Sequence, residues 1–352
     1  MTKLYQTIPE KHKVRVMALD DSLLFREIIK KGLGGDSRIE LVGFASNPFD
    51  AKDMIPELKP DVITLDIEMP RMDGVKFLRR LMPQYPVRAI VVTSLSSSVF
   101  EAMDAGAIDF ISKPGNLNDD LARFISDLKE KIFAASQARF AYQRHGDEGI
   151  LLEADGVRGI INPQDIIAIG ASTGGTDAIS SIITKFSSNM PGIVVAQHMP
   201  AGFTELYAKR LDTMSNLSVK EAADGDQVLP SRVLIAPGDF HMTVEQNGAG
   251  YCVRCENGAK IGGHRPSVDE LFRSVAEAAG AHALGVILTG MGKDGTAGLR
   301  AIRDAGGYTI GQDEHSSVVY GMPMMAYLSG AVMVQLPLYQ IPDEIIKKLS
   351  RD

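Results

Sequence analysis

The feature that most constrains this chain is an alternation of short apolar runs with amphipathic stretches. Over about the first 130 residues, five such runs are bounded by polar or turn residues, at 14–20, 39–46, 61–66, 88–95 and 109–113. Near-continuous apolar strands that alternate with helices are typical of a parallel sheet covered on both faces. We therefore predict a five-stranded, doubly wound α/β domain over residues 12–132.

A second α/β series follows a polar stretch. Its apolar runs lie at 166–171, 192–197, 232–236, 283–289 and 308–312, with an alternating run at 241–245 and an amphipathic helix at 268–279. In residues 133–160, Gln, Arg, Gly, Asp and Glu interrupt the apolar spacing, so we interpret this stretch as a linker, partly helical at its start. The pattern predicts a second, larger α/β domain with a mainly parallel sheet over residues 161–352.

The charge balance and the apolar runs exclude several classes of protein. The chain has 37 Lys and Arg against 44 Asp and Glu, a net charge of -7, which disfavours a nucleic-acid partner bound through phosphate contacts. No apolar run approaches the roughly 20 residues that span a bilayer. Residues 1–13 lack the apolar core of a signal peptide. Two cysteines fit a reducing compartment, so we expect a cytoplasmic protein with no membrane insertion.

Acidic residues follow two strands of the predicted first sheet. Asp20 and Asp21 end the first strand and Asp66 ends the third, while Thr93 and Lys113 end the fourth and fifth. The carboxyl ends of parallel strands meet at one edge of a sheet, where ligands usually bind. Three carboxylates at one edge repel each other unless a cation joins them, and Mg²⁺ prefers such oxygen ligands. The spacing predicts a Mg²⁺ site.

Four motifs of the first half resemble the receiver domain of bacterial response regulators: DDS at 20–22, LDIEMPRMDG at 65–74, TS at 93–94 and KP at 113–114. The resemblance implies that Asp66 accepts a phosphoryl group from a histidine kinase. It implies a Mg²⁺ ion held by three carboxylates and one main-chain carbonyl, those of Asp20, Asp21, Asp66 and Glu68. It also implies three switch residues, Thr93, Phe110 and Lys113. The segment at 96–101 is shorter than this family usually shows, which affects the fourth receiver helix.

A candidate nucleophile lies in the second half. Residues 170–174 fit G-x-S-x-G between an apolar strand and a helix, a pattern that places Ser172 on a nucleophile elbow. His198 ends the next strand and could act as its base, and Asp294 follows a later strand and could orient the histidine. The order Ser, His, Asp differs from that of α/β-hydrolases. Either the fold differs, or His264, His282 or His315 serves as the base instead.

The same region has a competing interpretation. Residues 290–295 fit G-x-G-x-x-G between a strand and a helix, with Asp313 near the distance expected for a ribose-binding acid. A nucleotide-binding oxidoreductase is therefore one alternative, although Asp294 would place a carboxylate against the pyrophosphate. A response-regulator transcription factor is the other, although the acidic balance disfavours it. We interpret Cys252 and Cys255 as strand residues and the run 322–325 as core packing.

Five further motifs resemble the catalytic domain of the chemotaxis protein-glutamate methylesterase: those at 169–175, 196–200, 235–238, 264–269 and 287–295. The resemblance implies Ser172 as nucleophile, His198 as base and Asp294 as its orienter. It implies main-chain N–H groups near Thr173 and Met291 as oxyanion donors, and no cofactor for the ester reaction. The expected function is a phosphorylation-regulated serine hydrolase of chemotaxis adaptation. It would demethylate glutamate methyl esters on methyl-accepting chemoreceptors and deamidate their glutamines.

Overall fold

The computed structural model describes residues 13–70, 72–94, 98–115, 120–139 and 162–350. The chain divides into two compact units, Met1–Gln143 and Arg144–Asp352, and each contains its own parallel sheet. Within the described ranges, no helix is both long and apolar enough to cross a membrane. Most of the predicted linker lies outside the described residues.

The first unit alternates strands and helices along the chain. Its strands are β1 (Val14–Leu19), β2 (Ile39–Ala45), β3 (Val62–Leu65), β4 (Arg88–Thr93) and β5 (Asp109–Ser112). Its helices in the described ranges are α1 (Leu23–Gly34), α2 (Pro48–Leu58), α3 (Gly74–Leu81), α4 (Ser98–Asp104) and α5 (Leu121–Gln137). The sheet order is β2-β1-β3-β4-β5 and all its pairs are parallel, which confirms the predicted doubly wound sheet. Helix α5 includes the first residues of the predicted linker.

The order of strands in this sheet explains where its site lies. The chain moves from β1 to one side for β2 and to the other side for β3. Such a reversal opens a crevice at the carboxyl ends of the strands, because the connecting helices lie on opposite faces. Helix α1 starts at this crevice, where the Ser22 hydroxyl accepts a hydrogen bond from the Phe25 N–H at 3.3 Å. The residues that follow β1 and β3 therefore meet at one place.

The second unit is larger. Its strands are β6 (Ile166–Ala171), β7 (Gly192–Gln197), β8 (Ser218–Glu221), β9 (Gln227–Val228), β10 (Arg232–Ile235), β11 (His241–Asn247), β12 (Gly250–Glu256), β13 (Ala283–Ile287), β14 (Tyr308–Gln312) and β15 (Val334–Leu336). Its helices are α6 (Gly175–Ile183), α7 (Phe203–Met214), α8 (Val268–Ala279), α9 (Thr296–Asp304), α10 (Met322–Leu328) and α11 (Ile341–Leu349). A seven-stranded parallel sheet has the order β15-β14-β13-β6-β7-β10-β8, and β11, β12 and β9 form a separate antiparallel sheet.

The three central strands of the large sheet position the second site. Strand β6 lies between β13 and β7, and its Ala171 pairs with Gln197 of β7. Every residue of these three strands is buried. Their apolar side chains form the core on both faces, which gives the sheet one strongly determined register. The residues that come directly after β6, β7 and β13 consequently lie side by side at the carboxyl edge.

Some features depart from the sequence expectations. Strands β8, β9 and β15 have at most four residues and carry no apolar run that predicts them. Cys252 and Cys255 are free thiols within β12, as expected for strand residues. The core-packing interpretation of 322–325 is correct for Met322, which is fully buried, and wrong for Met324 and Met325, which are 37% and 36% exposed. These two side chains point away from the core because α10 buries only one of its faces.

Candidate active site

Ser172 lies on a sharp turn between β6 and α6. Gly174 has a φ of 76°, and a Cβ at that position would lie 2.6 Å from Val318. Only glycine fits there, because a side chain would both strain the backbone and collide with a neighbour. The Gly175 N–H donates to the Ser172 carbonyl at 2.7 Å and closes the turn. The strand, turn and helix expected for a nucleophile elbow are thus present.

His198 directly follows β7 and faces the serine. Its Nδ1 lies 3.2 Å from Ser172 Oγ, and its Nε2 lies 2.8 Å from Asp294 Oδ2. An ionised carboxylate only accepts hydrogen bonds, so Nε2 carries the ring proton and Nδ1 presents its lone pair to the serine hydroxyl. The ring is turned over relative to chymotrypsin-type triads, in which Nε2 faces the serine. In this orientation Nδ1 is the ring nitrogen that can act as a general base toward Ser172.

Asp294 is held by an unusually complete set of donors. Its carboxylate accepts hydrogen bonds of 2.8–3.0 Å from the histidine ring, one hydroxyl and three main-chain N–H groups, those of His198, Ser267, Val268, Asp269 and Gly295. Two of these N–H groups belong to the first turn of α8, where the helix dipole favours a negative charge. Burial raises the pKa of Asp294, but the His198 hydrogen bond and charge and the α8 amides outweigh burial and hold the pKa well below its ordinary value. The group is therefore an anion beside the histidine at neutral pH.

This arrangement of Asp294 bears on the dinucleotide alternative. The carboxylate inside the 290–295 loop is directed at His198 and α8, where both of its oxygens accept hydrogen bonds. Asp313, the candidate ribose-binding acid, accepts hydrogen bonds from the N–H and hydroxyl of Ser316 and so closes its own turn. The loop therefore supplies an acid to a histidine, which favours the hydrolase interpretation.

The two residues expected to donate to an oxyanion lie on loops that flank the serine. Thr173 follows Ser172 and is 4% exposed, and its carbonyl accepts the Thr289 hydroxyl at 2.9 Å. Met291 follows Gly290, at which a Cβ would lie 2.7 Å from the Cβ of Ser172. The close approach of Gly290 brings the second loop against the nucleophile. The two loops that carry the expected donors therefore lie next to Ser172, and donation of their N–H groups to an oxyanion stays a prediction.

The sequence analysis named His264 only as an alternative base and did not predict its contact with His198, and it did not single out Gln197. The ring of His264 stacks on that of His198, with centroids 3.8 Å apart and planes 9° from parallel. The side-chain amide of Gln197 donates to the Ser172 carbonyl at 2.9 Å. The 264–269 motif and the position of Gln197 before His198 were visible signals. The alternative base His282 pairs instead with Asp165, which precedes β6 at the opposite edge of the sheet, and His315 is exposed.

The acidic edge of the first unit is also assembled. Lys113 Nζ lies 2.9 Å from Asp20 Oδ2 and 2.6 Å from Asp66 Oδ2. The Asp20 and Asp66 side chains are buried, Asp21 is exposed, and one carboxylate oxygen from each of the three lies within 4.8 Å of the others. The Glu68 N–H donates to Asp66 Oδ1 at 3.0 Å, so the main chain that should supply the carbonyl ligand folds back over Asp66.

The electrostatics of this edge fit a hard cation. Burial raises the pKa of Asp20, an effect that the Lys113 hydrogen bond only partly offsets. Burial lowers the pKa of Lys113, but its hydrogen bonds to Asp66 and Asp20 outweigh burial and raise it above its ordinary value. The single positive charge of Lys113 cannot neutralise three carboxylates, so the cluster keeps an excess of negatively charged oxygen atoms. A donor set of this kind suits Mg²⁺.

Of the remaining switch candidates, Thr93 lies at the same edge of the sheet and Phe110 lies within β5. Thr93 ends β4, is fully buried, and its hydroxyl has no hydrogen-bond partner among the residues that the structure describes. Phe110 is buried in β5 and packs edge-on against Phe100, with centroids 6.2 Å apart. Residues 95–97 lie outside the described residues, as does the first part of the shortened segment at 96–101, and α4 begins at Ser98.

Each of the two units matches a known protein family. Residues 167–345 match the family model of the CheB methylesterase, and residues 16–124 match that of the response regulator receiver domain. The chain is 51% identical over 340 residues to protein-glutamate methylesterase/protein-glutamine glutaminase 2 of Syntrophomonas wolfei subsp. wolfei, which covers 96% of this chain and 98% of the relative. It is 42% identical over 343 residues to the protein-glutamate methylesterase/protein-glutamine glutaminase of Salmonella typhimurium, with 96% and 97% covered.

A solved structure resembles the second unit. The crystal structure of the Thermotoga maritima CheB methylesterase catalytic domain is 43% identical, with a TM-score of 0.51, and the match covers 52% of this chain and 98% of that one. The family model and the two full-length relatives agree with this likeness. The chain therefore belongs to the CheB methylesterase family and carries a response regulator receiver domain ahead of its catalytic domain.

Proposed function

We propose that this chain is a phosphorylation-regulated protein-glutamate methylesterase that also acts as a protein-glutamine deamidase. The observation that carries the proposal is the hydrogen-bonded series from Ser172 through His198 to Asp294. The relatives named for these two activities match almost the whole length of the chain. The proposed substrates are glutamate γ-methyl esters and glutamine side chains of methyl-accepting chemoreceptors.

The first half of the reaction forms an acyl-enzyme. His198 Nδ1 takes the proton of the Ser172 hydroxyl, and the oxygen attacks the carbonyl carbon of the glutamyl ester. The negative charge of the tetrahedral intermediate develops beside the main-chain N–H groups of Thr173 and Met291. Asp294 stabilises the imidazolium because it is ionised and in contact with Nε2. The imidazolium then gives its proton to the departing methoxide, and methanol leaves.

The second half releases the product. A water molecule loses a proton to His198 Nδ1 and attacks the glutamyl ester of Ser172. The imidazolium returns the proton to the serine oxygen as the bond breaks, which frees a glutamate side chain. With a glutamine substrate the same atoms act, and the group that leaves in the first half is ammonia. One hydrogen-bond network thus accounts for both activities.

The receiver unit is the proposed regulator, with a histidine kinase as its phosphodonor. Asp66 would accept the phosphoryl group, and Mg²⁺ would be held by Asp20, Asp21, Asp66 and the carbonyl of Glu68. When bound, the ion supplies positive charge to the phosphoryl oxygens. Lys113, already in contact with Asp66, adds a second positive charge.

The switch residues and the cellular setting complete the proposal. Thr93, Phe110 and Lys113 would respond to the new charge and alter the receiver surface near β4 and β5. The simplest regulatory scheme is that the unphosphorylated receiver obstructs the catalytic site. The free thiols of Cys252 and Cys255 fit the reducing cytoplasm, where such a kinase would donate its phosphoryl group.

The test is the release of methanol from a methylated receptor by the wild type and by Ser172→Ala. Loss of a triad nucleophile should reduce the rate by many orders of magnitude. The remaining rate should exceed that of the uncatalysed reaction in water by about 10³–10⁴-fold. Ser181→Ala is the matched control, because the Ser181 hydroxyl donates to the Asp177 carbonyl within α6, away from His198. Wild-type turnover by Ser172→Ala would show that the proposed nucleophile is incorrect.

A further inference from the structure

His264 contacts the catalytic histidine but has no place in the proton transfers described above. Its ring lies 3.8 Å from that of His198, centroid to centroid, with 9° between the planes. We infer that His264 is a positioning residue whose ring keeps His198 in the plane that reaches both Ser172 and Asp294. The inference rests on the proposed esterase function and assigns a role to a residue that the reaction itself does not use.

The stacked ring of His264 restricts the tilting of the His198 imidazole. The terminal torsion of a histidine side chain has broad minima, so an imidazole can tilt at little cost unless its faces are packed. The two hydrogen bonds of His198 leave from opposite edges of its ring, at 3.2 Å and 2.8 Å. A tilt lengthens one or both of them. A parallel ring on one face opposes that tilt and leaves the edges open for proton transfer.

The backbone of His264 is itself firmly anchored. Ile261 and His264 exchange two main-chain hydrogen bonds, at 3.0 Å and 3.1 Å, across a two-residue turn. Gly262 and Gly263 have φ values of 60° and 94°, the positive values that a tight hairpin turn requires. On the other side, the Arg265 guanidinium donates to the carbonyl of Gly258 and to the side chain of Asn257. The His264 ring is therefore carried by a loop that hydrogen bonds hold on both sides.

The same short segment also holds the third member of the triad. Ser267 donates its hydroxyl to Asp294 Oδ1 at 3.0 Å, and the next two N–H groups donate to the same carboxylate. The Ser267 N–H in turn approaches Nδ1 of the buried His241 at 3.3 Å, which ties the segment to β11. Residues 264–269 thus support the face of the His198 ring at one end and its hydrogen-bond acceptor at the other.

If the flat ring of His264 positions His198, variants that keep or remove that ring should differ in activity. His264→Ala removes the ring, whereas His264→Phe keeps a flat ring without the nitrogens. His282→Ala is the matched control, a partly exposed histidine that pairs with Asp165 at the opposite edge of the same sheet. The assay measures kcat and KM for methanol release from methylated receptor by the full-length chain, with Ser172→Ala in parallel. Circular dichroism and thermal unfolding establish that each variant is folded.

We expect His264→Ala to lower kcat by about 10- to 100-fold, the effect of a small misplacement of a catalytic group. The KM should change little, because the ring acts on the histidine and not on the substrate. His264→Phe should recover most of the lost kcat, and His282→Ala should match the wild type. Rescue by phenylalanine is the result that a general loss of structure would not produce.

Other outcomes overturn the inference. A wild-type kcat for His264→Ala shows that His198 needs no support, and a higher KM at unchanged kcat shows that His264 binds substrate. If His264→Phe is folded and as slow as His264→Ala, the ring nitrogens matter and the stacked plane does not. If Ser172→Ala is inactive and His264→Ala is fully active, the positioning role is refuted and the proposed esterase function stands. An active Ser172→Ala refutes the proposed esterase and the positioning role together.

Discussion

Replacement of Asp294 by asparagine tests the hydrogen-bond network at its most sensitive point. The carboxylate has two acceptor oxygens, and Oδ1 alone accepts from Ser267, Asp269 and Gly295. An asparagine would keep its single oxygen at this better-supplied position and turn its NH₂ group toward His198 and Val268. The amide would then donate to Nε2, so the ring proton would move to Nδ1 and face Ser172. A histidine protonated there cannot accept the proton of the serine.

The magnitude follows from the wrong tautomer. In chymotrypsin-type serine proteases, replacement of the triad aspartate by asparagine lowers kcat by about 10⁴, which corresponds to about 5.4 kcal/mol at 1.36 kcal/mol for each factor of ten. Asp269, on the first turn of α8 next to Asp294, supplies a control. Its side chain accepts hydrogen bonds from the main-chain N–H groups of Gly298, at 2.7 Å, and of Ala297, and an asparagine oxygen can still accept from this backbone. We expect Asp269→Asn to lower kcat by less than about tenfold.

The assay compares initial rates of methanol release at saturating methylated receptor, with folding checked by circular dichroism. A loss of about four orders of magnitude in Asp294→Asn, with little loss in Asp269→Asn, would support the assigned orientation of the His198 ring. Equal losses in the two variants would refute the reasoning, because they would show that the acid in contact with Nε2 has no special role. Near wild-type turnover by Asp294→Asn would do the same.

Regulation, metal binding and acid stability supply three further tests. Deletion of residues 1–143 should raise the basal rate of methanol release and abolish its response to a phosphodonor, whereas Asp66→Asn should keep the basal rate and lose the response. A truncated chain that is folded but slower would show an activating receiver. Mg²⁺ at a hundred times its Kd should stabilise the receiver by about 2.7 kcal/mol in thermal unfolding, and Asp20→Asn should lose most of this gain. The lowered pKa of Asp294 means that its charge stabilises the fold above about pH 4 and that this contribution disappears as the pH falls through the lowered pKa. The difference in free energy of unfolding between the wild type and Asp294→Asn should therefore narrow from pH 7 to pH 3.

Much of the fold could be predicted because its signals are local. The buried strands are continuous apolar runs, and a parallel sheet brings their carboxyl ends to one edge whatever the loops do. This reasoning placed Asp20, Asp66 and Lys113 together, and it placed Ser172 beside His198. The short edge strand β15 carried no such signal, because a strand of three partly buried residues has no periodicity to detect.

Contacts that depend on loop conformation could not be predicted in the same way. The stacking of His264 on His198 requires the turn at 261–264 to direct a side chain across the site, and nothing in a linear pattern specifies that direction. The orientation of the His198 ring is also invisible in sequence, because it depends on where the hydrogen bonds from α8 hold the Asp294 carboxylate. The failed interpretation of Met324 has the same origin, since helix α10 is too short for its periodicity to identify the buried face.

Two of the proposed catalytic residues, Ser172 and His198, continue the hydrogen-bond ladder of the central sheet, and this determines how the site can open. The Ser172 N–H donates to the Thr289 carbonyl at 3.0 Å, the His198 N–H to Ala171 at 3.2 Å, and the Leu288 N–H to Gly170 at 2.9 Å. Such amides exchange with deuterium only when neighbouring strands separate. Their exchange should be as slow as that of the deepest core amides. The site would then be lost only together with the sheet, so a native-like chain with a melted active site would not accumulate.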